Sequence, residues 1–285
     1  MKKITFFISL LLSLLYFRTF IWLINSWLTD PYYSHGFLIP IICGFIAWRN
    51  IRETKNENEK GREQKLNPET DPEPFKFKPG IYLFAFGLTL YVIGFIKIFP
   101  FLSALSFLFT ASGLILDFYG KPMMRSFLFP VSFLIFAIPL PFVFLEKVAY
   151  VLQSLSAHYP ALFIEMLGIP VTRVGAAIQL EDASFFIGLP CSGMNSLISL
   201  LALTTIFIYI LKCPLYKKAT LLCITVPIAI LANVLRVTSL LLIAHAYGAE
   251  TANGFFHTFF SPLLFIIAFI FLVLISIIIG CTVKS

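Results

Sequence analysis

Charge is scarce in this sequence, and so are most patterns that mark a soluble enzyme. Only 12% of the 285 residues are charged, against 59% hydrophobic, and the mean hydropathy is +0.92. A soluble domain of this length cannot hide so much apolar surface, so the lipid bilayer must be its solvent. No glycine-rich phosphate loop and no metal-ligand spacing is present, so no cofactor is expected. A Gly-x-Ser-x-Gly elbow is also missing, which argues against a serine peptidase. The five cysteines are odd in number and lack paired spacing, so neither a disulfide framework nor a zinc site is expected. Four of them, Cys43, Cys213, Cys223 and Cys281, read as inert thiols in or at the ends of apolar runs. No fixed-period repeat appears. The net charge of +7 is not gathered into a basic face, so nucleic acid is not an expected partner.

What is present is a series of apolar runs, many near the length of about 20 residues that crosses a hydrocarbon core. Hydropathy predicts eight spans, roughly 4–28, 32–48, 80–98, 101–119, 126–145, 192–212, 218–242 and 258–280. Met1-Lys2-Lys3 and the first run mimic a secretory signal, but no small-x-small site ends the run, so it reads as a retained span. The expected organisation is spans in 1–48, a charged cytoplasmic loop at 49–79, spans in 80–145, an extracytoplasmic insertion at 146–190 and further spans in 191–285.

The distribution of Lys and Arg orients this map. A cytoplasmic N-terminus puts nearly every basic residue outside the apolar runs on the cytoplasmic side; only Lys97, Lys147 and Arg173 fall outside. Residues 49–78 are highly charged, contain Pro68, Pro72 and Pro74, and show no apolar periodicity, which predicts a flexible loop. Glu146–Gly168 has helical apolar spacing with polar interruptions, as in a helix lying at the membrane interface. After it, β-favouring pieces broken at Gly175 and at Glu181-Asp182 predict a hairpin leading to Cys191. The fold class is therefore an all-α polytopic membrane protein of about eight transmembrane helices, with an outer-face interfacial helix and a short β-hairpin.

Three residues could carry chemistry. Arg236 sits in an otherwise apolar helix, where a guanidinium costs at least ~2.5 kcal/mol, so it needs a partner or a wet cavity. Asn233 and Ser239, three residues to either side, share its helical face. Cys191, in Pro190-Cys191-Ser192-Gly193-Met194-Asn195, falls at the outer start of a span, where free N–H groups and the helix dipole favour a thiolate and an oxyanion. Gly193 would let another backbone approach closely. His257 opens the last span, and an imidazole suits proton transfer at neutral pH. His245 competes with it, and His35 is also outward. Taken singly, a membrane cysteine is more often inert and a lone histidine more often structural. Their convergence on one predicted face favours a site.

Three blocks, Pro190 to Leu197, Leu231 to Val237 around Arg236, and Gly254-Phe255-Phe256-His257, resemble the signatures of the exosortase/archaeosortase family. Tyr33-Ser34-His35-Gly36 resembles that family's N-terminal block. The resemblance implies a membrane cysteine protease or transpeptidase without cofactor. Its partners would be the bilayer and exported proteins bearing a C-terminal sorting motif, a transmembrane helix and a basic tail, with a surface glycan or lipid as candidate acceptor. By position, Cys191 would be nucleophile, Arg236 transition-state stabiliser and His257 general acid/base, supported by Ser192, Gly193, Asn195, Asn233, His35 and His245. Two other readings compete: a transporter whose Arg236 and Asn233 line a path for an anionic solute, and a surface-polymer assembly factor with a purely structural polar cluster.

Overall fold

The computed structural model describes residues 2–64, 79–180, 184–188, 191–252 and 257–283; among these, the side chains of 2–6, 9, 55–64, 249, 257–259 and 261 lie outside the description. The chain divides into two compact units, Met1–Leu140 and Pro141–Ser285.

In the first unit, α1 (Lys2–Leu15) and α2 (Phe17–Thr29) replace the single predicted span at 4–28. They separate at Tyr16, which is fully buried. Its hydroxyl lies 2.9 Å from both Ser106 Oγ and Thr110 Oγ1, while Tyr91 donates to the Leu15 carbonyl at 2.6 Å. The backbone bonds still run through this residue, Tyr16 N–H to the Leu12 carbonyl and Phe20 N–H to the Tyr16 carbonyl, both at 2.9 Å, so the separation is a local distortion at an anchored residue. Arg18, in the same predicted span, lies over the Phe95 ring, 5.5 Å from its centroid.

A 3-10 turn, Pro31–Phe37, leads into α3 (Leu38–Gln64), so the predicted loop at 49–78 is helical over its first half. That stretch is rich in Arg, Glu, Lys and Gln, all good helix formers, and Arg49 pairs with Glu53 one turn on at 2.8 Å. A helix polar on every side has no apolar period to reveal it. Residues 65–78, with the three prolines, lie outside the described residues.

Helix α4 (Pro79–Ile96) packs along α5 (Pro100–Phe133), which is broken at Gly120 by a φ of 77°. The break separates the two spans predicted at 101–119 and 126–145. Gly80, Gly87 and Gly94 recur every seven residues along one face of α4 and meet Gly113, Thr110 and Ser103 of α5. A Cβ at Gly87 would come within 2.6 Å of the Thr110 backbone nitrogen, so only glycine allows this approach.

The second unit opens with α6 (Phe142–Met166), followed by β1 (Val171–Val174), β2 (Ala177–Leu180) and β3 (Ser184–Phe186). The predicted hairpin is thus a three-stranded antiparallel sheet, ordered β1-β2-β3, with Val171 opposite Leu180 and Ile178 opposite Phe185. Helix α7 (Met194–Ile210) precedes β4 (Leu211–Lys212), α8 (Leu215–Tyr247), the short α9 (Ala249–Thr251), α10 (His257–Ile278) and β5 (Thr282–Val283). The helix predicted to lie at the interface, α6, buries Leu145, Ala149, Leu152, Ser156, Pro160 and Ile164 and packs against α8. Its other side exposes Phe144, Tyr150, Val151 and Phe163, so both faces are largely apolar.

The strand pair β4–β5 brings Cys213 and Cys281 together as a disulfide, with Cα atoms 5.1 Å apart, correcting the expectation of unpaired thiols. A separation of 68 residues carries no local spacing signal. Lys217 Nζ donates to the Ile279 carbonyl at 2.6 Å and satisfies a group near the end of α10.

Among the described residues, Pro79–Ile96, Pro100–Ala137 and Leu215–Tyr247 are long and apolar enough to cross a membrane; Met194–Ile210 and Pro262–Ile278 are apolar but shorter. Helix α10 exposes Ile266, Ile267, Ile270, Phe271, Leu274 and Ile277, a surface suited to hydrocarbon and not to water.

The glycine stripe yields a direct test. Gly87→Leu should lower stability by roughly 1–3 kcal/mol through overpacking. Gly44→Leu should cost less, because a Cβ there meets nothing within 4 Å. Thermal unfolding of the two purified variants in the same detergent compares them.

Candidate functional site

Cys191 lies in a turn just outside a helix. Helix α7 starts at Met194, with Gly193 as its N-cap at φ 89°, so the cysteine lies just before the helix, near its first turn. Pro190, which precedes Cys191 in the sequence, lies outside the described residues. The turn is closed by the Cys191 amide, which donates to the Gly188 carbonyl at 3.0 Å.

Helices α6 and α8 hold this turn. Asn233 of α8 donates through Nδ2 to the Cys191 carbonyl at 3.2 Å and to Ser156 Oγ of α6 at 2.6 Å. Ser156 in turn donates to the Ser192 carbonyl at 3.2 Å. Gln153, one turn before Ser156, donates to the carbonyl of Ile187. Ser192 is 1% exposed, and its Oγ accepts from the Met194 amide at 3.4 Å. These contacts require Gly193: besides its positive φ, a Cβ there would sit 2.7 Å from Asn233 Cγ.

Cys191 and Arg236 line one cavity of about 130 Å³. Phe185, Phe186 and Ile187 form a wall from the sheet side, and Val237, Leu240 and Ile243 one from α8. Ser239, predicted to share the face of Arg236, lines it too, as does Phe260 of α10. The thiol is free and half-buried. A thiol and a permanent cation thus share a mostly apolar enclosure, where charge interactions are stronger than in water. Asn233 and Arg236 also border a second, smaller cavity with Ser196.

The remaining expected residues fare differently. His257 begins α10 three residues before Phe260, and its side chain lies outside the described residues. His245 is exposed near the end of α8 and is not among the cavity-lining residues. Asn195 accepts a 3.5 Å contact from Ser199 within its own helix and does not line the cavity. His35 belongs to the first unit, where both its ring nitrogens are buried without a hydrogen-bond partner among the described residues. Among the described residues, no group of three or more His, Cys, Asp or Glu could hold a metal. Sequence reasoning missed Gln153 and Ser156; the available signal was two polar residues one turn apart on a largely apolar helix.

Apolar helices too long and too greasy for water, with a thiol and a guanidinium in one cavity, define a membrane protein with a candidate thiol site. A family model for transmembrane exosortases matches residues 27–274, so the chain belongs to the transmembrane exosortase family. Comparison with curated proteins and with solved structures gives no match.

Gly193 can be tested apart from chemistry. Gly193→Ala should destabilise by at least ~2 kcal/mol, adding steric overlap to the cost of a left-handed backbone. Gly168→Ala, also at positive φ but with open space around it, should cost only about 1–2 kcal/mol. Thermal unfolding in detergent distinguishes the two.

Proposed function

We propose that this exosortase-family protein is a membrane-embedded cysteine protease or transpeptidase that cleaves C-terminal sorting signals of exported proteins. The observation that carries this reading is the shared cavity of Cys191 and Arg236, two residues 45 positions apart on different segments. Its substrates would carry a short motif, a transmembrane helix and a basic tail. In the proposed topology eight spans place both chain ends in the cytoplasm and the Cys191 cavity at the outer face. The placement of Lys and Arg supports that orientation, and the Cys213–Cys281 bridge, which it puts on the cytoplasmic side, opposes it, because disulfides are rare in the cytosol.

In the proposed reaction His257 takes the Cys191 thiol proton, and the sulfur attacks a backbone carbonyl carbon of the sorting motif. The carbonyl electron pair moves onto oxygen, where the Arg236 guanidinium stabilises it. As the tetrahedral adduct collapses, the C–N bond breaks and His257 returns the proton to the departing amine. The product is an acyl-thioester on Cys191. Water then releases a carboxylate, or an amine-bearing surface acceptor forms a new amide; either regenerates the thiol. The first turn of α10, which carries Phe260 into the cavity wall, also begins with His257, and this supports its proton-transfer role.

Cys191→Ala should abolish processing of a reporter with a sorting signal. Arg236→Ala should lower kcat by about 10²–10³ while the protein remains in the membrane. Cys223→Ala, at an exposed free thiol, should process normally. Gel mobility of the reporter and membrane abundance of each variant are the readouts. Processing by Cys191→Ala at the wild-type rate would overturn the assignment.

A further inference from the structure

Both backbone polar groups of Cys191 are held. Its N–H donates to the Gly188 carbonyl at 3.0 Å. Its C=O accepts from Asn233 Nδ2 at 3.2 Å. Because a residue has only two soft backbone torsions, tethers on its N–H and on its C=O narrow the directions open to its Cα–Cβ bond. The thiol then keeps little freedom beyond rotation about χ1.

The second bond depends on Asn233 presenting its NH₂ and not its carbonyl oxygen. A backbone carbonyl can only accept, so it selects that orientation. Ser156 reinforces it. Its hydroxyl accepts from Asn233 at 2.6 Å and spends its own proton on the Ser192 carbonyl at 3.2 Å. One side chain of α6 thus orients the carboxamide and pins the next carbonyl of the nucleophile turn. Ser156, Ser192 and Asn233 are 2%, 1% and 4% exposed, so water is poorly placed to take over these bonds.

We infer that Ser156 is a positioning residue for the nucleophile, acting on Cys191 through Asn233 and the Ser192 carbonyl without touching substrate. This inference rests on the proposed thiol mechanism. Small misplacement of an attacking atom costs rate far more than it costs binding. Loss of the Ser156 hydroxyl therefore shows in kcat.

Ser156→Ala should reduce kcat about tenfold, with KM within about twofold of wild type, when rates are normalised to folded protein in membranes. Thr204→Val is the structural comparison. It removes another buried hydroxyl–hydroxyl bond between helices of the same unit, Thr225 to Thr204 at 3.2 Å, away from the cavity lining. It should keep wild-type kcat even if abundance falls. Wild-type kcat in Ser156→Ala, or an equal loss in Thr204→Val, overturns the positioning role. Cys191→Ala measured alongside separates the two levels. If it is inactive while Ser156→Ala is fully active, only the positioning role fails; if Cys191→Ala is itself active, the thiol mechanism fails and the positioning role with it.

Discussion

A carboxamide buried in an apolar helix is costly; the Oδ1 of Asn233 is buried with no partner among the described residues, and the bonds of its NH₂ turn the rest of that cost into architecture. Its NH₂ reaches a hydroxyl on α6 and a carbonyl in the turn before α7. Three segments separated by long stretches of sequence thereby acquire one relative arrangement. Apolar packing alone would tolerate small slides among them, because dispersion contacts have little directional preference. Directional bonds in a dry interior do not. Gly193 belongs to the same constraint, since its missing side chain leaves the space that Asn233 occupies.

The first unit solves its packing differently. Helices α4 and α5 approach through glycines and small hydroxyl residues, so backbone meets backbone. Tyr16 then ties α1 and α2 to α5 by two hydroxyl contacts. Both units place polar bonds where one helix must hold a fixed register against another, and leave the periphery to Leu, Ile and Phe.

Legibility in the sequence follows from which residues are costly. Arg236 in an apolar helix and Cys191 two residues before a glycine could be singled out because the alternatives to a function for them are expensive or bland. Helices α4, α7, α8 and α10 were legible for the same reason, since long apolar runs have few other uses. Tyr16 gave no warning of its anchoring role, because tyrosine belongs in an apolar run and its hydroxyl partners lie some 90 residues away. The helical start of the charged region was hidden by lacking any apolar face. Ser156 and Gln153 left only the signal of two polar residues one turn apart, because serine and glutamine are unremarkable on helices until the chain carbonyls they serve are located. The Cys213–Cys281 pair needed the strand pairing that only tertiary structure supplies.

The cavity is walled on one side by Phe185 and Phe186 of β3, continued by Ile187, and on another by α8. These walls differ in what they can change. Side chains on α8 share their helix with Asn233, and shifting that helix disturbs the turn it holds. Phe185 and Ile187 are buried in the core, but Phe186 is exposed and can exchange its ring while the ladder to β2 stays paired, since the pairing uses backbone atoms alone. The enclosure can therefore be retuned at that one strand position while Cys191 and Arg236 stay where they are.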